Sequence, residues 1–331
     1  MRKFLSLFLL QIVITGVLPF KGLQANPTDS IIAVSPDKIL AGTFANDATF
    51  RTDYYFTQGI SVNLVHPVFG KLPVNKIMLQ SKASHTQYHG ILVRYDGFTP
   101  LKILEANIRY GDRPYAAYIY VKNYQVNNFK DKKQRLTSGL DLGFLGPGAG
   151  AKQFQIKVHE WLDSPRPLGW DNQLRTDLIL GYTADYEKQL LGVGKILEVI
   201  GNAGASVGTL YTHAAGGLFI RTGKMNPYFQ NLGITSRENR GNLQKFQFFA
   251  QGRLTGKLVG YNATLQGGLL NQQNPYTLSA SQISRAIRQE AAGLVCTYGG
   301  VSFERSVVWI SPEFKNARPH KWMFFELQFV L

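Results

Sequence analysis

The chain contains almost no cysteine and, beyond its N-terminus, no long apolar stretch. Cys296 is the single cysteine of 331 residues, so an intrachain disulfide and a cysteine-based zinc cluster are both excluded. No segment after the N-terminal region has the uninterrupted run of roughly 20 apolar residues that a spanning helix needs. A transmembrane β-barrel lacks such runs as well, because its strands alternate between lipid and lumen. The pattern of the strands therefore has to decide.

The N-terminus is predicted to be a signal peptide. Arg2 and Lys3 precede an apolar run over residues 4–20, and small residues up to Ala25 suit a cleavage site. A membrane-anchoring helix is the alternative, but the run is shorter than roughly 20 residues and Pro19 interrupts it. We predict a signal peptide over residues 1–25 and a single domain over residues 26–331.

Acidic residues are scarce relative to basic ones. The chain has 36 Lys and Arg against 21 Asp and Glu, and a formal net charge of +15. The predicted signal removes three bases, Arg2, Lys3 and Lys21, which leaves 33 against 21 and a net charge of +12. Such a charge fits nucleic acid or the phosphorylated face of a membrane. Because export favours the membrane, we predict no nucleic acid partner.

Alternation of apolar and polar residues recurs along the mature chain and predicts β-strands. The C-terminal strand is the clearest case, with Glu326 and Gln328 on one face and these residues on the other: Met323, Phe325, Leu327, Phe329 and Leu331. We predict an all-β fold, a closed antiparallel transmembrane β-barrel of about 12 strands in the outer membrane. Closure leaves no unpaired backbone edge in lipid. A soluble β-sandwich or lipocalin-like barrel shares the alternation and is the alternative.

One region departs from the strand pattern. Phe154, Val158 and Leu162 have helical spacing, which predicts a short helix near residues 153–162. In such a helix Gln155 and His159, four residues apart, lie on one face. The helix therefore presents an amide and an imidazole side by side.

Four local groups carry most of the polar residues that are suited to chemistry. They are Asn46-Asp47 with the segment 52–59, the segment 111–116, the segment 145–148 followed by Gln155 and His159, and the segment 169–173. Their types and order are similar to those of the outer-membrane lipid A 3′-O-deacylase family, over roughly residues 42–185. The resemblance implies a 12-stranded barrel with its site on the lumen-facing wall. It also implies calcium-dependent hydrolysis of the ester-linked acyl or acyloxyacyl group at the 3′ position of lipid A.

The resemblance also implies roles for individual residues. His159 becomes the general base that activates water, and these residues match the family's other polar positions: Asn46, Asp47, Thr57 and Gln155. The family has an acid six positions after the histidine, where this chain has Pro165. Either Asp163 or Glu160 substitutes for that acid, or the metal shell differs.

The chemistry of these residues is consistent with ester hydrolysis. Histidine is the side chain whose ordinary pKa lies near neutral pH, as a general base requires. Asp47 and Asn46 could hold a divalent cation, which the resemblance implies to be Ca²⁺, because calcium takes oxygen ligands. The cation would assist the developing oxyanion. We expect the five residues to converge in one lumen-facing cluster, with the His159 ring within about one water of its carboxylate.

Three functions remain open from the sequence. The first is a hydrolase acting on lipid A of lipopolysaccharide, with outer-membrane lipid as its surroundings. The second is a passive barrel, such as a porin, adhesin or transporter, whose polar groups only line the pore. The third is an outer-membrane lipase that acts on phospholipid.

Overall fold

The computed structural model describes residues 32–50, 52–83 and 85–331, so the predicted signal peptide lies outside the described residues. The chain forms thirteen strands in these ranges. They are β1 (Ile32–Val34), β2 (Ile39–Asn46), β3 (Tyr55–Val65), β4 (His85–Thr99), β5 (Ala116–Phe129), β6 (Gln134–Leu145), β7 (Asp177–Val193), β8 (Leu197–Gly208), β9 (Tyr211–Lys224), β10 (Phe246–Asn262), β11 (Ala286–Tyr298), β12 (Val301–Ile310) and β13 (His320–Val330).

Strands β2 to β13 form a closed antiparallel barrel of 12 strands. Each strand pairs with its neighbour in sequence, and β13 closes the circle on β2 from the pair Met323–Asn46 to the pair Val330–Ile39. Strand β1 lies outside this circle and pairs in parallel with the start of β4. The predicted fold class is therefore confirmed, and closure satisfies the backbone of every barrel strand.

The two faces of the wall differ as alternation requires. Along β10, Leu254 and Leu258 point outward and are 46% and 69% exposed, whereas the intervening Thr255 and Lys257 face the lumen. The outward apolar residues form a belt around the barrel, which suits a lipid environment. Among the described residues, no helix is both long and apolar enough to cross a bilayer.

Apolar clusters fill the lumen near both of its ends. At the end that carries the loop between β2 and β3, here called the site end, Phe56, Phe98 and Tyr118 pack together. At the opposite end, called the terminus end, Ile234 from the segment between β9 and β10 packs inside the barrel against Val65 and Val126. Apolar side chains therefore occupy part of the lumen at both ends.

Helix α1 (Ala151–Trp161) occupies the long connection between β6 and β7 and confirms the helix predicted near residues 153–162. A second helix, α2 (Ala263–Gln266), is a single turn after β10. Buried Arg113 joins the loops at the site end, because its guanidinium donates to Glu313 at 2.5 Å and to Thr264 at 2.7 Å. Hydrogen bonds from one arginine therefore hold several loops of the site end together.

We expect a charged side chain on the outward face of β10 to destabilise the barrel. Leu254→Arg should lower the free energy of unfolding by about 2–4 kcal/mol, because it places a charge near the middle of the apolar belt. Thr255→Arg is the matched control, since it adds the same charge on the lumen face and should cost much less. Denaturant unfolding in lipid vesicles measures both. Equal losses for the two variants would contradict the assignment of faces.

Candidate active site

Helix α1 packs on the outside of the barrel wall. Ala117 of β5 points away from the lumen, on the same face as Val121, which is 44% exposed. Ala117 is nevertheless fully buried, because it packs in one cluster with Ala151 of α1 and with Trp170. The helix therefore covers a part of the wall that would otherwise face the surroundings of the barrel.

A β-bulge in β3 brings polar residues to this outer face. The pairing with β4 is irregular between Phe56 and Gln58, so that Thr57 is the extra residue. Phe56 points into the lumen, whereas Gln58 lies outside and donates to the Tyr95 hydroxyl at 2.5 Å. Thr57 is also turned toward the helix, so two consecutive side chains face α1.

Gln155 joins α1 to the wall. Its amide is buried, and its Nε2 donates to Asp53 Oδ1 at 3.1 Å and to Thr57 Oγ1 at 3.2 Å. Its Oε1 accepts a hydrogen bond from the Trp170 indole at 2.6 Å. Both ends of the amide thus have partners, and these bonds fix the helix over the bulge.

His159 lies one helical turn after Gln155. Its Nδ1 is 2.7 Å from the backbone carbonyl of Pro165. A carbonyl only accepts, so Nδ1 must carry a proton and donate it. The Nε2 atom lies 3.3 Å from Asp53 Oδ2, and the ring has no other hydrogen bond within the described ranges. In the neutral ring, Nε2 is then the basic nitrogen, next to a carboxylate.

Asp53 is the acid beside the histidine, and it is not among the residues predicted for the site. Its Oδ1 accepts from Thr57 at 3.0 Å as well as from Gln155. Burial raises the pKa of the Asp53 carboxyl, and the neighbouring His159 and both hydrogen bonds oppose that rise. The feature of the sequence that could have indicated Asp53 is its position four residues before Thr57, where the loop leads into β3.

Asp163 and Glu160 are the two acids suggested as substitutes for the family's acid. Neither Asp163 nor Glu160 lines the cavity, and both are exposed. Pro165 instead contributes its carbonyl to His159. The residue that replaces the family's acid thus orients the imidazole through its backbone.

Asn46 and Asp47 end β2 beside this network. Asn46 Nδ2 donates to the Thr57 carbonyl at 2.7 Å, which ties β2 to the bulge. Asp47 is buried, and its Oδ2 accepts from the Thr52 hydroxyl at 2.9 Å and from the Tyr54 amide at 3.3 Å. Burial raises the pKa of the Asp47 carboxyl to about 8, and the nearby Asp53 charge contributes to the rise.

The oxygen atoms here are of the kind that a hard cation prefers. Asp47 Oδ1 accepts no hydrogen bond from the described residues, and Asp47 lines the cavity. Asn46 adds an amide oxygen and Thr57 a hydroxyl. No cluster of three or more His, Cys, Asp and Glu side chains suited to a metal occurs in the described part of the chain. The residues fit calcium in donor type, with amide, hydroxyl and water oxygens needed beside the carboxylate.

The five predicted residues line one cavity of about 700 Å³: Asn46, Asp47, Thr57, Gln155 and His159. Its lining also includes apolar side chains, among them Phe44 and Phe325, which lie on the outward face of the barrel and are 47% and 37% exposed. The lumen-facing position expected for this cluster is therefore wrong. The bulge at Thr57 and the position of α1 outside the wall place the cluster on the outer face.

These observations define a membrane β-barrel with a histidine-containing polar cavity on its outer wall. The family model described as "Outer membrane protein LpxR" matches residues 9–330, which is nearly the whole chain. The chain belongs to the LpxR outer membrane protein family, and its place is the outer membrane. A comparison with curated proteins finds no match.

The fold agrees with that of a solved LpxR structure. LpxR from Salmonella typhimurium superposes with a TM-score of 0.70 at 16% identity, over 88% of this chain and 100% of that one. The β domain of the Bordetella autotransporter BrkA has a TM-score of 0.43 at 12% identity, over 89% and 99% of the two chains. The translocator domain of NalP from Neisseria meningitidis has 0.42 at 8% identity, over 99% and 95%.

The contact of His159 with the Pro165 carbonyl predicts which ring nitrogen carries the proton. We expect neutral His159 to be the tautomer that carries its proton on Nδ1, because the Pro165 carbonyl accepts from that atom. Long-range ¹⁵N–¹H correlation spectra of protein labelled in histidine measure the tautomer, and the His159→Asn variant assigns the signal. A proton found on Nε2 in the neutral ring would show that the contact does not persist.

Proposed function

We propose that this protein hydrolyses an ester-linked 3′ acyl or acyloxyacyl group of lipid A in the outer membrane. The observation that carries the proposal is the position of His159, held by the Pro165 carbonyl and facing Asp53, in a cavity on the outer wall. Membership of the LpxR family supports the same substrate. A cavity bordered by outward aromatic rings allows a lipid to reach the imidazole from the side.

The imidazole acts as the general base. With the proton of Nδ1 donated to Pro165, Nε2 takes a proton from a water molecule that attacks the ester carbonyl. The ring becomes an imidazolium at that moment. Asp53, 3.3 Å from Nε2, then stabilises the positive charge, and the protonated ring can return the proton to the leaving alkoxide.

Asp53 in turn is held by its neighbours. Thr57 and Gln155 donate to its Oδ1, which leaves Oδ2 directed to the ring. Trp170 fixes the Gln155 amide so that its NH₂ group points to Asp53. A series of contacts therefore orients the base before the substrate binds: Trp170 to Gln155, Gln155 to Asp53, and Asp53 to His159. This orientation lowers the reorganisation that the reaction requires.

A divalent cation, Ca²⁺ by family resemblance, would be held by Asp47 and Asn46. When bound, it would supply positive charge to the carbonyl oxygen that becomes the oxyanion. Asp47 is prepared for this role by the hydrogen bonds from Thr52 and Tyr54, which fix its carboxylate in one orientation. The excess of Lys and Arg over Asp and Glu, 36 against 21, suits the phosphorylated sugar of the substrate.

His159→Ala should lower the rate of deacylation by roughly 10²–10⁴-fold, because it removes the general base. Mass spectrometry of lipid A from cells that express each variant measures the loss of the 3′ chain. His213→Ala is the matched control, since it removes the same side chain from the lumen and should leave the lipid A profile of the parent protein. An unchanged lipid A mass with the parent protein would favour the passive barrel. Purified phospholipid in the same assay tests the lipase alternative.

Asp53→Asn should lower kcat roughly 10- to 100-fold, the range expected for a lost contact with a charged group, and leave KM nearly unchanged. The variant keeps the shape of the side chain but cannot stabilise the imidazolium. Asp163→Asn and Glu160→Gln are matched controls, because they remove neighbouring charges that do not line the cavity. Full activity in Asp53→Asn would rule out the proposed stabilisation of the imidazolium by Asp53, and a rise in KM alone would indicate substrate binding instead.

A further inference from the structure

The outer wall carries a second polar area, at the terminus end. Gln125 and Asn127 of β5 and Ser138 of β6 lie on the same outward faces as exposed Val121 and Leu142. These three polar side chains are nevertheless 0–1% exposed. Side-chain amides without hydrogen-bond partners are unfavourable on a lipid-facing wall, so these residues must be covered by another part of the protein.

The covering element is residues 66–82 of the connection between β3 and β4, which we call the strap. Its backbone satisfies the polar wall residues: the Leu79 carbonyl accepts from Asn127 at 2.8 Å, and the Leu79 amide donates to Ser138 Oγ at 3.0 Å. The Ile77 carbonyl accepts from the outward Tyr182 hydroxyl at 3.0 Å. The strap therefore lies flat along the outside of the barrel and does not project from it.

The other side of the strap is apolar and basic. Its exposed apolar side chains are Val68, Leu72, Ile77 and Leu79, with exposed fractions of 48%, 37%, 55% and 40%. Its charged residues are Lys71, Lys76 and Lys82, all exposed, and it contains no Asp or Glu. Apolar and basic residues on one exposed surface are the composition of segments that lie at a membrane interface.

We propose that the strap binds anionic phospholipid of the leaflet at the terminus end. Val68, Leu72, Ile77 and Leu79 enter the boundary between headgroups and acyl chains, and the lysines contact the phosphates. The absence of acidic residues in the strap makes its charge complementary to an anionic leaflet. The inference concerns the opposite end of the barrel from His159 and does not depend on the proposed hydrolysis.

Phosphatidylglycerol is the probe, with phosphatidylcholine as the zwitterionic comparison. The full chain in zwitterionic detergent is titrated with each lipid, and native mass spectrometry measures the lipid that is retained. We expect preference for phosphatidylglycerol. The triple variant Lys71→Gln, Lys76→Gln and Lys82→Gln should lose roughly fivefold in affinity for each lysine removed. Added salt should weaken binding to the parent protein in the same direction.

The matched control removes three lysines from the neighbouring turn at the same end. Lys130→Gln, Lys132→Gln and Lys133→Gln together change the net charge equally but belong to a turn without the exposed apolar residues of the strap. This variant should retain the affinity of the parent protein. Equal losses in both triple variants, or equal binding of the two lipids, would overturn the proposal.

A second measurement tests contact of the strap with lipid directly. A spin label on Ile77→Cys in the Cys296→Ser background, in phosphatidylglycerol vesicles, should be more accessible to oxygen than to a water-soluble nickel complex. The same label on Lys130→Cys should show the opposite preference. A label at residue 77 that is mainly accessible to nickel would show that the strap faces water, and would overturn the proposal.

Discussion

The buried amide of Gln155 is the interaction on which the site depends. It connects the helix outside the barrel to the bulge in β3 and to the loop that carries Asp53. Trp170 holds its oxygen, so the amide cannot turn without leaving a buried group unpaired. His159 follows one turn later on the same helix, and its distance to Asp53 is therefore fixed by how α1 is anchored. The geometry of the cavity is a consequence of this anchoring.

The sequence predicts the barrel, the helix and four of the residues that line the cavity with the histidine, because each depends on local periodicity or on recognisable groups of residues. It does not predict which side of the wall the groups face. Alternation assigns faces only while the register is regular, and the extra residue at Thr57 changes the assignment within one strand. Asp53 was missed because its contact with His159 joins a loop to a helix about 100 residues later in the sequence.

The barrel has polar groups on its outer wall in two areas. In each area, a segment that connects two strands packs against the outside of the wall and covers these groups. At the site end the cover is α1, which leaves a cavity beside it. At the terminus end the strap of residues 66–82 closes over Gln125, Asn127 and Ser138 with its own backbone. The difference explains why only one of the two areas is available to a reacting molecule. The apolar clusters inside both ends of the lumen are consistent with a barrel that serves as a support for these outer surfaces.

The borders of the cavity at Phe44 and Phe325 have a kinetic consequence. A molecule that enters from the bilayer keeps its hydrocarbon chains in the membrane and diffuses to the protein in two dimensions. The quantity that governs occupancy is then its mole fraction among the surrounding lipids, and dilution with inert amphiphile slows turnover even at constant bulk concentration. Membrane composition becomes a control on the rate without any change in the protein.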